Sequence, residues 1–153
     1  MTKKNLFIIL CLFFYLTSCK KKCEDSRDNI IKVQFYNKTS LERDTLAFVS
    51  VKGIGLGIDS ILYTQKDTLH TFFLPASTIS NEIEFNFARK EGAIIKNYLI
   101  RFNYQKRIQI ITPECGITED IFDLKVPFSD FDSVQVVSPK LENNNNANIH
   151  IYN

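Results

Sequence analysis

Two histidines, a pair of neighbouring glutamates, a glycine-rich stretch and a cysteine set before a glycine are the groups in this chain whose types or spacing could do chemistry. Glu82 and Glu84 fall on one face of an alternating segment, and two carboxylates flanking a bond are what glycoside hydrolysis needs. Two like charges at that spacing also describe an ordinary solvated strand face. His70 and His150 have no second ligand type beside them in sequence, whereas a zinc site needs several His or Cys ligands. Gly53-Ile54-Gly55-Leu56-Gly57 lacks the third glycine of a dinucleotide fingerprint, because Ile58 stands there, and the fingerprint must open a helix. A strand pattern follows instead, so the stretch reads as a connection between two strands. Cys115, in Pro113-Glu114-Cys115-Gly116, has no basic residue near it in sequence to activate its thiol. It reads as a structural half-cystine. No catalytic residue, no metal and no cofactor is expected.

Chemistry of a different kind is written at the start of the chain. Lys3 and Lys4 precede an uncharged apolar run from Leu6 to Leu16, and Leu16-Thr17-Ser18-Cys19 closes it. Spanning a bilayer takes about 20 helical residues, so the run reads as the core of an export signal rather than a membrane span. An aliphatic residue, two small residues and a cysteine resemble the bacterial lipobox, in which the thiol receives diacylglycerol. Cys11 is a poor rival because the bulky Leu10 precedes it. The expected organisation is a lipoprotein signal peptide over 1–18, the lipidated Cys19 and a short tether over 19–29, and one domain over 30–153.

That division changes the charge argument. The chain carries 19 basic and 17 acidic residues, and loss of Lys3 and Lys4 with the signal leaves 17 of each. Lys20, Lys21 and Lys22 then sit beside the lipid, where they favour anionic headgroups. No basic stripe remains of the kind nucleic-acid binding requires, so nucleic acid is excluded as a partner. Of the cysteines, Cys11 leaves and Cys19 is alkylated, which makes Cys23 and Cys115 the expected disulfide. Two unpaired thiols, or a bond to another protein, are the alternatives.

From Ile30 onward the pattern has period two, the signature of strands. Ile31, Val33 and Phe35 face one way, with Lys32 and Gln34 facing the other. Residues 82–87 alternate three apolar with three polar side chains, and Tyr98, Ile100, Phe102 and Tyr104 alternate with polar or smaller neighbours. Further runs lie at 46–51, 60–64, 69–74, 122–126, 131–137 and 147–152, with Ile108 and Ile110 continuing the theme across a turn. Thirteen Phe and many Ile supply strand propensity. Many short runs with turn chemistry between them argue for an all-β fold, a two-sheet β-sandwich of about eight to ten antiparallel strands. Asn143 to Asn146 suit an exposed loop. If the closing strand lies at a sheet edge, its backbone could accept a partner's strand.

The lipobox, Cys23, Gln34-Phe35-Tyr36, Thr71-Phe72-Phe73-Leu74-Pro75, Glu114-Cys115-Gly116 and Asn148-Ile149-His150-Ile151-Tyr152 together resemble a family of small uncharacterised envelope lipoproteins from the Bacteroidetes. The resemblance covers nearly all of the mature chain. It implies an envelope lipoprotein of unknown function encoded beside a predicted outer-membrane barrel, and it brings no catalytic residues. In that light Asp44-Thr45-Leu46, Asp59-Ser60-Ile61, Asp67-Thr68-Leu69 and Asp132-Ser133-Val134 look like the O-glycosylation motif of exported Bacteroidetes proteins, with Thr45, Ser60, Thr68 and Ser133 as acceptors. About 0.5 matches are expected by chance, against four present. The competing explanation is that Asp before Ser or Thr closes a turn and the aliphatic residue opens a strand. The expected function is a non-catalytic, lipid-anchored module of the cell envelope, held at the outer membrane, that binds or supports another component there. An outer-membrane protein is the expected partner. The alternatives are a small enzyme acting on envelope glycans and a module binding sugar or lipid; the lack of Trp weakens the sugar reading.

Overall fold

Alternating apolar side chains can be buried only if a second apolar face lies opposite, and two sheets supply those faces to each other. The computed structural model describes residues 29–55, 58–64, 68–112 and 116–153. Among the described residues all regular structure is strand: β1 (Ile30–Tyr36), β2 (Leu46–Ala47), β3 (Ser50–Gly55), β4 (Ile58–Thr64), β5 (Thr68–Leu69), β6 (Thr71–Pro75), β7 (Glu82–Glu91), β8 (Ile94–Thr112), β9 (Gly116–Ser129), β10 (Ser133–Val136) and β11 (Ile149–Tyr152). One sheet has the order β10-β11-β1-β6 and the other β4-β3-β7-β8-β9, with β2 and β5 forming a short separate ladder. The fold is a β-sandwich.

Phenylalanine fills the space between the sheets. The Phe35 ring lies 5.4 to 5.9 Å from those of Phe48, Phe72, Phe87 and Phe131. Three of these contacts are edge-on, the geometry that the ring quadrupoles favour. Tyr104 is buried too, and its hydroxyl accepts from Ser77 N (2.6 Å) and donates to Ser77 O (3.2 Å). Its polar end is therefore satisfied. At the end of the β7–β8 hairpin, Gly92 has φ +64° in a two-residue turn, a conformation a side chain would strain.

Several sequence expectations are corrected. Residues 46–51 are not one strand: the chain passes from the β2 ladder to β3, and the buried Phe48 lies between them. The 69–74 run bends at His70 into β5 and β6. Gly53 and Gly55 belong to β3 itself, so only residues 56 and 57 remain as connection. No turn separates Tyr104 from Ile108 and Ile110, since β8 runs unbroken over 19 residues. The closing strand is not at an edge: β11 pairs with β10 on one side and, in parallel, with β1 on the other. It has no free edge to offer a partner. Lys32 and Gln34 do not face solvent (6% and 8% exposed), because residues 138–147 fold back over that face of β1.

Edges are managed locally. The Tyr63 hydroxyl accepts from Phe73 N (2.9 Å) and donates to Phe73 O (3.1 Å), which occupies the edge strand β6 at that point. Backbone bonds Leu124 N to Pro139 O and Leu141 N to Ile121 O cap the outer edge of β9. Covered edges resist strand-to-strand aggregation.

The β8–β9 hairpin outruns the sheet that faces it. Along β8 the even-numbered residues point inward, with Phe102 and Tyr104 buried. On the same side Ile108 is 70% and Ile110 75% exposed. Ile110 pairs with Ile117, also 70% exposed, and Ile108 pairs with Glu119. The core face of this sheet thus continues beyond its cover.

Candidate functional site

A concavity lined by many hydrogen-bonding side chains lies on the outer face of the four-stranded sheet. The register Gln34↔His150 between β1 and β11, and Gln34↔Thr71 between β1 and β6, sets Gln34 in the middle of that face. One end of the groove is lined by Lys32, Arg43, His70 and Phe73, the other by Tyr36, Glu142 and His150. Gln34, Arg43, Asn144, Asn145 and Ala147 line both ends, so the two form one trough. The larger end encloses about 650 Å³.

Its wall is the polar segment 138–147, which the fold anchors from below. Lys32 Nζ donates to Glu142 O (2.9 Å) and Asn144 O (2.6 Å). The buried Asn148 side chain accepts from Lys32 N (3.0 Å) and donates to Ser138 O (3.3 Å) and Lys140 O (3.0 Å). Asn143 to Asn146 remain exposed at the rim, as expected. The floor is aromatic at one end: the Tyr36 ring lies 4.5 Å from that of His150 and 5.7 Å from that of Tyr152. The Tyr36 hydroxyl donates to Gln34 Oε1 (3.1 Å) and lies 3.5 Å from His150 Nε2.

The two histidines, remote in sequence, therefore border one groove. Burial, and secondarily the Arg43 guanidinium, holds the His150 imidazole below the usual histidine value. The unfolded chain then binds a proton that the folded one resists, so stability is present above pH ~6.5 and declines as the pH falls below it. Thermal unfolding midpoints should drop between pH 7.5 and 5, and His150→Gln should flatten that drop. An equal drop in both proteins would assign it to other groups.

Among the described residues no group of three or more His, Cys, Asp or Glu could hold a metal ion. Among the described residues Glu142 is the one carboxylate lining the groove. Glu82 and Glu84 line a different recess together with Arg101, whose Nε (3.1 Å) and Nη2 (2.8 Å) both donate to Glu84 Oε2. That pairing gives Glu84 a place in a cross-strand ion pair. Cys19, Cys23 and Cys115 lie outside the described residues. Thr45, Ser60 and Ser133 are exposed, and the Thr68 side chain lies outside the described residues. Leu46 opens β2, as the turn-and-strand explanation requires, β5 and β10 open one residue earlier than it requires, at Thr68 and Ser133, and Asp59-Ser60-Ile61 lies within the edge strand β4. That explanation does not cover Ser60. The sequence reading missed the groove entirely, since its lining comes from separated segments.

A model of a family of unknown function (DUF6452) matches residues 48–153. The chain belongs to this family. The match takes in β3 to β11 and leaves out β1, although β1 lies at the centre of the groove-bearing sheet. No curated protein and no solved structure matches the chain.

Proposed function

We propose that this protein is a lipid-anchored, non-catalytic binding module of the bacterial cell envelope, and that the groove on its four-stranded sheet takes a hydroxyl-rich envelope glycan. The observation that carries the reading is the lining of that groove. Amide side chains of Asn144 and Asn145, the Arg43 guanidinium and the Tyr36 ring border one open trough, with the largely buried Gln34 amide at its floor. Such groups match alternating hydroxyls and apolar sugar faces, and Tyr36 provides the aromatic surface that a missing Trp would otherwise supply. A lone carboxylate, Glu142, favours holding over hydrolysis, which uses two.

The anchor reading rests on Leu16-Thr17-Ser18-Cys19 and is compatible with the placement of the ends. Thr112 of β8 pairs with Gly116 of β9, and Cys115 lies between them in sequence. Asn29, where the described chain begins, lines a recess with Ile108 and Ile117 of that hairpin. Cys23 is six residues before Asn29 and can reach roughly 20 Å from it. A Cys23–Cys115 bond would close a loop of 92 residues, for which chain entropy allows up to about 4.6 kcal/mol. Thiol labelling of the oxidised, unfolded mature protein should find neither cysteine reactive; two labels per chain would remove the bond from the account.

Binding of soluble peptidoglycan and outer-membrane polysaccharide fragments, followed by calorimetry, tests the function. The expected outcome is binding without product release, weakened about tenfold by Arg43→Ala, the size of a 1.4 kcal/mol contact. Cleavage of a fragment, or binding indifferent to Arg43→Ala, would overturn the reading. A protein partner in the outer membrane is a second reading. It draws on β4, an outermost strand of its sheet that exposes Ile61 (62%).

A further inference from the structure

Exposed apolar residues scattered singly need no explanation, but three that continue a core face beyond its cover do. Ile108, Ile110 and Ile117 are such a set; on the same face Lys106 separates them from Tyr104, and Glu119 pairs with Ile108. The register shifts between Arg101 and Gln105 add residues to β9, not to β8. The opposite face of the same hairpin carries Arg107, Gln109, Thr118 and Asp120 beside Phe122, and it is braced. Arg107 Nη2 donates to the buried Asp120 at 2.8 Å, and its guanidinium lies 5.4 Å from the centre of the Phe122 ring. The exposed isoleucines of the projection, Ile108, Ile110 and Ile117, therefore all lie on one side of it.

What covers the apolar side is decided by its neighbour in space. The recess beneath the isoleucines is bordered by Asn29, the point at which residues 19–28 join the domain. That segment is Cys-Lys-Lys-Lys-Cys-Glu-Asp-Ser-Arg-Asp, too polar to cover three isoleucines itself. Fully extended, residues 20 to 29 reach about 33 Å, so a lipid on Cys19 keeps this end of the sandwich close to a bilayer. Lys20, Lys21 and Lys22 favour anionic headgroups on the way. We infer that the β8–β9 overhang is a lipid-contacting wedge, with Ile108, Ile110 and Ile117 seated at the headgroup–acyl boundary. The inference rests on the anchor reading of Cys19. It adds a second contact to a tether, and two signals hold a protein on a membrane more firmly than one. It also sets an orientation, in which the long axis of β8 leads away from the bilayer.

The chain contains no Trp, so a single introduced Trp is a unique reporter. The mature, lipidated protein carrying Ile110→Trp or Ile94→Trp is reconstituted in phosphatidylethanolamine–phosphatidylglycerol vesicles. Quenching is read with lipids brominated on the upper acyl chain. Ile94 is also exposed (66%) and opens β8 at its far end, about 50 Å along the strand. The expected result is a blue-shifted emission at position 110 that brominated lipid quenches severalfold more than emission at position 94. Flotation of the protein with position 110 unquenched would overturn the wedge and leave the anchor standing. Failure to float at all would overturn both. A blue shift at position 110 without bromine quenching would overturn the wedge in favour of a second copy of the chain as the cover.

Discussion

Phe35→Ala should destabilise the fold by about 3–5 kcal/mol, the range for emptying a buried aromatic site. Phe35 is fully buried, and four other rings surround it, drawn from both sheets and from the segments that join them. Removing it takes away the ring each of them packs against, and a cluster of rigid side chains closes over a void only partly. Domains of this size are stable by about 5–15 kcal/mol, so the loss is a large share of the total. A urea titration reads it as a lower midpoint with an unchanged slope. Phe73→Ala is the control, because Phe73 is half exposed and should lose less than about 1 kcal/mol. Equal losses at the two positions would contradict the packing described.

The second large effect concerns the wall of the groove. Asn148→Ala should cost about 2–3 kcal/mol, since it removes the partner of Lys32 N and of two carbonyl oxygens, Ser138 O and Lys140 O, at a buried site. Asn148→Asp keeps the acceptor for Lys32 N but replaces both donated hydrogens with a carboxylate oxygen aimed at carbonyls. It should be at least as damaging as the alanine. In both variants hydrogen exchange should accelerate over residues 138–147, while the β7–β8 hairpin keeps its protection. Unchanged exchange over 138–147 would show that Lys32 Nζ and the backbone bonds to Pro139 and Leu141 hold the segment without the Asn148 side chain.

Local periodicity made much of this fold legible in advance. Glu82 to Phe87 and Tyr98 to Tyr104 alternate as written, because whether a side chain faces in or out repeats every two residues regardless of what lies opposite. Three features depend on what does lie opposite. Period two says that Lys32 and Gln34 point away from the core; it cannot say that residues 138–147 return to cover them. It continues through Ile108 and Ile110, but the facing sheet ends before them. The pairing of β11 between β10 and β1 joins Val33 to Ile149 and Val134 to Ile151, and no local pattern encodes such distant partners. The groove was hidden for the same reason. His70 arrives by a bend between β5 and β6 and His150 by a parallel pairing with β1, and only the assembled sheet sets Gln34 between them.

Two histidines in the whole chain give a simple imidazole spectrum, and it offers the most direct measurement of the central claim. Titrating the 15N-labelled protein with envelope glycan fragments should move the His150 resonances and, at the other end of the trough, those of His70. Arg43→Ala should shift that titration to higher fragment concentration. Imidazole resonances that stay fixed while the fragments bind, or fragments that are cleaved during the titration, would contradict a groove built to hold a glycan without transforming it.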